Sequence, residues 1–195
     1  MEASQKKKMK KVNDTFLLII GILLFLISYN FDQQVSLFFK DIKFALFDAV
    51  FGVITNFGVV VLVILILPSI AFYKKNKKIT YLLWLAFIIS FVLAFVIKLI
   101  VLRQRPVEAF TYPFTNILNY SFPSMHAMVV FSLLPILTKH MPKQKHFWIG
   151  FGFLIVFSRI YFSFHFLSDV VFGALVGYFI GDYLLELYEK KKLWR

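Results

Sequence analysis

The chain has 195 residues, of which 60% are apolar, 19% aromatic and 16% charged, with a mean hydropathy of +0.78. Ordinary soluble domains are near half apolar and a quarter charged, so this composition excludes a water-soluble globule, and the 26 Phe are spread over the whole length. The net charge is +12, from 22 Lys and Arg against 10 Asp and Glu, and the absence of cysteine excludes disulfides, zinc–thiolate sites and a thiol nucleophile.

In chain order, residues 1–12 form a basic N-terminus ahead of an apolar run from Phe16 to Ile27. No small-x-small cleavage site follows in Ser28-Tyr29-Asn30-Phe31, so this run predicts an uncleaved first span rather than a signal peptide. A helix that crosses a bilayer needs about 20 mostly apolar residues. Segments of that kind fall at 13–31, 52–73, 79–101, 122–138, 147–163 and 165–187, the fourth and fifth at the short end. Between the first two, residues 35–48 interleave Phe38, Phe39, Phe44 and Phe47 with Lys40, Asp41, Lys43 and Asp48. That pattern predicts a short interfacial helix, with a packed turn outside the membrane as the alternative. The runs lack strand-like alternation, so the expected fold is all-α: residues 1–195 as a single integral-membrane domain, a bundle of six transmembrane helices.

The charges orient that bundle. Lys6, Lys7, Lys8, Lys10 and Lys11 precede span 1; Lys74, Lys75, Lys77 and Lys78 lie between spans 2 and 3; Lys139, Lys143 and Lys145 between spans 4 and 5; Lys190, Lys191, Lys192 and Arg195 after span 6. With six spans these sixteen cations share one side, against Lys40 and Lys43 on the other. The positive-inside rule then makes both termini cytoplasmic and the loops 32–51 and 102–121 external. The lysine runs read as topology determinants and headgroup contacts, not as a nucleic-acid surface. His140 and His146 fall inside a cytoplasmic lysine cluster and read as interfacial residues, and Asp182 and Glu186 as a solvated or helix-packing pair.

Four basic residues remain: Lys98, Arg103, Arg105 and Arg159. Ionisable side chains at membrane depth cost about 3 kcal/mol on insertion scales and turn toward a partner or a water-filled cavity. In the predicted topology all four reach the external face, together with His126 at the start of span 4 and His165 and Asp169 at the start of span 6. Several cations without a carboxylate cluster suit an anion with more than one negative oxygen, and arginine matches phosphate. Ser124 offers a hydroxyl and an amide at a helix N-terminus. His165 and Asp169, four residues apart, allow the carboxylate to hold one imidazole nitrogen and leave the other as a nucleophile, with His126 as general acid and base. Arg103 is either a further phosphate contact or a residue snorkelling to headgroups, and Ser158 either a further group of the site or a helix-packing residue.

Three segments resemble the signatures of the type 2 phosphatidic acid phosphatase family. Lys98-Leu-Ile-Val-Leu-Arg103-Gln-Arg105-Pro106 is similar to the first, Pro123-Ser124-Met125-His126 to the second, Pro-Ser-Gly-His, and Ser158-Arg159 followed by His165 and Asp169 to the third. The resemblance covers a core of about residues 80–185. It implies a metal-independent phosphatase of membrane lipid phosphates, without a cofactor, related in its core to vanadium-dependent haloperoxidases. It implies His165 as the nucleophile that forms a phosphohistidine, Asp169 as its orienting partner and His126 as the proton donor to the leaving oxygen. Lys98, Arg105, Ser124 and Arg159 would hold the phosphoryl oxygens, with Met125 beside them. Met125 stands where the family has Gly, so its amide serves phosphate only if its φ is negative.

The expected setting is a bacterial cytoplasmic membrane with the site facing outward. The family members most similar in layout act on undecaprenyl pyrophosphate or on phosphatidylglycerophosphate and phosphatidic acid. The partners expected are a membrane lipid substrate and the bilayer, with no nucleic acid and no assignable oligomeric state. Two alternatives stand beside hydrolysis: a lipid phosphotransferase using the same phosphohistidine, and an anion or lipid-phosphate transporter. A transporter needs internal repeats or a path to both faces, and neither is evident in the sequence.

Overall fold

The computed structural model describes residues 2–42, 44–106 and 119–194, except for the side chains of residues 2–4, 6–8 and 11. Lys43, Arg195, most of the loop 102–121 and the side chains of Lys6, Lys7, Lys8 and Lys11 therefore lie outside the described residues. All regular structure among the described residues is helical: α1 (Glu2–Asp41), α2 (Ala45–Ile54), α3 (Phe57–Val61), α4 (Leu67–Tyr73), α5 (Lys77–Val101), α6 (Met125–His140), α7 (Lys145–Tyr161) and α8 (Leu167–Glu189). A π-helical turn, Leu62–Ile66, fuses α3 to α4. Among the described residues three helices are long and apolar enough to cross a membrane, Val12–Asp41 within α1, α5 and α8, and the bent pair Ala45–Ile54 plus Phe57–Tyr73 makes a fourth if it is one broken span. At 16 and 17 residues α6 and α7 are only about 25 Å long.

The sequence predicts one interfacial helix over 35–48, and here the structure differs. Residues 35–41 continue α1, and a separate helix begins at Ala45. The polar stretch Asp32-Gln33-Gln34 ends the apolar run but not the backbone hydrogen bonding, because helix formation does not require apolar side chains. The new start is fixed from α7: Tyr161 Oη accepts from the Phe44 amide at 2.9 Å and donates to Asp48 Oδ1 at 2.8 Å. The second predicted span, 52–73, is likewise interrupted, by a bend of 58° at Thr55-Asn56. The Asn56 side chain caps the continuing helix by accepting from the Gly58 amide.

Helices α6 and α8 pack most extensively, because α8 presents Gly173, Gly177 and Gly181 four residues apart to the α6 backbone. A Cβ at Gly173 would lie 2.7 Å from the Ser124 carbonyl oxygen, and at Gly177 and Gly181 it would collide with the carbonyls of Met128 and Ser132. This is the small-residue contact by which apolar helices approach without a hydrophobic driving force. The main core, which includes Ile64, Leu82, Leu133 and Ile155, joins the π-helical turn to α5, α6 and α7, while α1 lies against α8 and α7.

Four of the lysines predicted to share one side, Lys10, Lys78, Lys139 and Lys190, lie at one end of the bundle. Lys10 pairs with Asp182 at 3.0 Å and Glu186 at 2.9 Å, Lys139 pairs with Glu189 at 2.9 Å, Lys190 pairs with Glu186, and Lys78 donates to the Trp194 carbonyl at 2.8 Å. Desolvation acts to lower the Lys10 pKa, but hydrogen bonds to Glu186 and Asp182 outweigh it and hold the pKa above the usual lysine value.

Candidate active site

At the opposite end, four breaks in helical structure come together: Thr55 after α2, Leu102–Pro106 after α5, 119–124 before α6, and 162–166 between α7 and α8. Helix α5 terminates at Leu102, whose φ of 51° is left-handed. The chain on either side of the following connection is then clamped: the Ser121 amide donates to the Arg103 carbonyl at 2.7 Å, and Ser121 Oγ to that of Gln104 at 3.0 Å. Ser124 caps α6, its Oγ accepting from the Ala127 amide at 3.5 Å, while its own amide donates to the Asp169 carbonyl at 3.1 Å.

His165 is 3% exposed, and its Nδ1 lies 2.8 Å from the Ser121 carbonyl oxygen. A carbonyl only accepts, so Nδ1 carries the proton and the neutral ring keeps its lone pair on Nε2. The Asp169 carboxylate lies farther off, at 3.7 Å from Nδ1. The hydrogen bond expected from Asp169 is thus made by the backbone of Ser121, and Asp169 stands behind it as a nearby negative charge. Its Oδ2 accepts from the Phe166 amide at 2.8 Å and its Oδ1 from Arg103 at 2.8 Å. By the same logic the Nε2 of His126, 2.9 Å from the Thr55 carbonyl, carries a proton, and Phe57 packs edge-on against the ring with centroids 5.0 Å apart.

Three of the four predicted cations gather around His165. Lys98 is 2% exposed and donates to the carbonyls of Tyr120 at 2.5 Å and Ser121 at 3.3 Å. Arg105 donates to the carbonyls of Asn119 at 3.0 Å and Phe164 at 2.7 Å. Arg159 donates to Thr55 Oγ1 at 2.9 Å, with its guanidinium carbon 4.6 Å from the centre of the Phe164 ring. All three act electrostatically on His165, as does His126. Arg103 takes neither role foreseen for it, since its two Nη nitrogens bind the carboxylates of Asp169 and Asp32. Ser158 is fully buried, and its Oγ donates to the Ile155 carbonyl of its own helix at 2.6 Å. Met125 opens α6 and lacks a positive φ, so its amide keeps a helix-start orientation, and its side chain is buried among Ala94, Met128 and Val129 on the face toward α5.

The sequence pattern does not single out Asp32, Thr55 or Ser121. Asp32 alone carried a signal, as a carboxylate at the end of an apolar run, the kind of residue that membrane depth makes costly. Thr55 and Ser121 act largely through backbone carbonyls, which no side-chain motif records.

The class this defines is a helical membrane protein with a cationic, histidine-bearing site at one end of its bundle. Residues 79–193 match the PAP2 superfamily, and the chain belongs to it, as the three motifs anticipate. An undecaprenyl-diphosphatase from Sulfolobus acidocaldarius is 33% identical over 117 residues, covering 56% of this chain and 55% of that protein, so the match spans about half of each. The fold is similar to the crystal structure of a transmembrane PAP2-type phosphatidylglycerolphosphate phosphatase from Bacillus subtilis, with a TM-score of 0.70 and 22% identity over 93% of this chain and 98% of that one. Aquifex aeolicus LpxE gives a TM-score of 0.63 and 25% identity, covering 80% and 94%.

Proposed function

We propose that this chain is a membrane lipid phosphatase in which His165 is the nucleophile. The observation that carries this is the hydrogen bond from His165 Nδ1 to the Ser121 carbonyl at 2.8 Å, which leaves the Nε2 lone pair for attack at the end of the bundle that also holds Lys98, Arg105 and Arg159. Nε2 attacks the terminal phosphorus, a P–N bond forms, and the P–O bond to the leaving oxygen breaks; that oxygen belongs to the lipid alcohol in a monophosphate and to the lipid monophosphate in a diphosphate. His126, its Nε2–H held by the Thr55 carbonyl, gives the proton of its other ring nitrogen, Nδ1, to that oxygen. Water then attacks the phosphohistidine as His126 takes one of its protons, releasing inorganic phosphate and restoring the imidazole. Lys98, Arg105, Arg159, the Ser124 hydroxyl and the amide of Met125 hold the phosphoryl oxygens, and charge placed in advance supplies most of the barrier reduction.

The likeness to an undecaprenyl-diphosphatase favours a polyprenyl diphosphate as first substrate, with phosphatidylglycerophosphate and phosphatidic acid next. We read the three long helices, the bent pair and the shorter α6 and α7 as six spans of a bacterial cytoplasmic membrane. The lysines clustered at the end opposite the site favour an outward-facing active site and cytoplasmic termini. The test is phosphate release by the purified protein from a panel of lipid phosphates without added metal. His165→Ala is expected to abolish release, and full activity of that variant would refute the mechanism.

A further inference from the structure

We infer that Asp32 and Arg103 form a positioning pair that holds the turn carrying His165 and Asp169 in its reactive geometry, and that Arg103 is not one of the phosphate-gripping cations; this rests on the function proposed above. The first turn of α8 has free amides that need acceptors, and Phe166, at its N-cap, has no side-chain acceptor to offer. Asp32, from another helix, supplies one. Its Oδ1 accepts from the Ser168 amide at 2.8 Å and its Oδ2 from Ser168 Oγ at 2.5 Å. Asp32 is only 2% exposed, and two buried carboxylates this close to one turn require a cation.

Arg103 is that cation. Its Nη2 binds Asp32 Oδ2 at 2.7 Å, and its Nη1 binds Ser168 Oγ and Asp169 Oδ1, each at 2.8 Å. The guanidinium lies over the Phe166 ring, 4.1 Å from its centre. One planar fork thus ties α1, the segment after α5 and the start of α8 together, a geometry that the single ammonium of lysine does not reproduce. Asp169 stands 3.7 Å from the nucleophile's Nδ1, so the pair acts on His165 through Asp169 and the 165–168 backbone.

The experiment compares Asp32→Asn, Arg103→Gln, Arg103→Ala and the Asp32→Asn/Arg103→Gln double variant with wild type. Arg103→Gln is expected to lower kcat about 100-fold with KM little changed, the usual cost of misplacing a reacting group by about 1 Å. The double variant should be no slower than the slower single one, since the two residues act as a unit. Added guanidinium at non-denaturing concentration should restore part of the kcat of Arg103→Ala. A raised KM with intact kcat would make Arg103 a phosphate ligand and overturn the inference, as would additive losses or failed rescue in folded protein. Carbethoxylation of His165, followed by mass spectrometry, needs no turnover. It should accelerate in the Arg103 and Asp32 variants, and an unchanged rate overturns the pairing even if a silent wild type removes the phosphatase reading.

Discussion

The contact between Gly173 and Ser124 couples helix packing to the proposed chemistry, and Gly173→Ala tests the coupling. The added Cβ would lie 2.7 Å from the Ser124 carbonyl oxygen and 3.2 Å from the Ala127 Cβ. Carbon and carbonyl oxygen come to rest at about 3.3 Å, so α8 and α6 must separate there by about 0.6 Å, and the obstructing atom is backbone with no rotamer to give. The Ser124 amide donates to the Asp169 carbonyl at 3.1 Å, and the same displacement takes that bond beyond hydrogen-bonding range. Ser124 and His126 move with α6 while Asp169 moves with α8. A 1 Å error in such a site costs about 100-fold, so about half of it costs about tenfold in kcat, or about 1.4 kcal/mol. Overpacking adds a stability loss of about 1–3 kcal/mol. Initial rates of phosphate release and thermal unfolding in detergent are to be read together, with Gly150→Ala as control, because a Cβ there meets nothing within 4 Å. Wild-type kcat in a folded Gly173→Ala protein would refute the reasoning.

With a lipid phosphate whose leaving group departs readily, His126→Ala should accumulate acid-labile phosphohistidine on His165, measured by labelled-phosphate trapping, because attack by water then lacks its base. Thr55→Val removes the hydroxyl that Arg159 donates to at 2.9 Å, and should raise KM about tenfold, the worth of one hydrogen bond to a charged group. Met125→Gly restores the residue of the related motif yet empties a buried site against α5, and should cost about 3 kcal/mol by denaturant unfolding without raising activity.

Three of the expected spans, 13–31, 79–101 and 165–187, coincide with described helices long and apolar enough to cross a membrane, and α5 at Lys77–Val101 follows the segment 79–101 closely. The errors lie where helix continuity and apolar content part company. Helix α1 runs on through Asp32-Gln33-Gln34 although the apolar run ends, and the second span bends at Thr55-Asn56 within sequence that stays apolar on both sides. Hydropathy reports the solvent a segment prefers, whereas helix ends are set by local acceptors such as Asn56 and by tertiary partners such as Tyr161.

The same distinction runs through the site. Lys98, Arg105, Arg159, His126 and His165 stood out because each is costly at membrane depth, and the structure brings them to one end. The groups that set the protons of the two histidines are backbone carbonyls of Thr55 and Ser121, which every residue has and no pattern marks. Arg103 shows the limit most sharply. From sequence it is a fourth cation two residues before Arg105, and only the approach of α1, which brings Asp32 to 2.7 Å, turns it toward carboxylates. A sequence comparison that scores Arg103 as one more phosphate ligand would therefore predict a KM defect on its removal, whereas the contact with Asp32 predicts a kcat defect, and the two readings separate in one kinetic measurement.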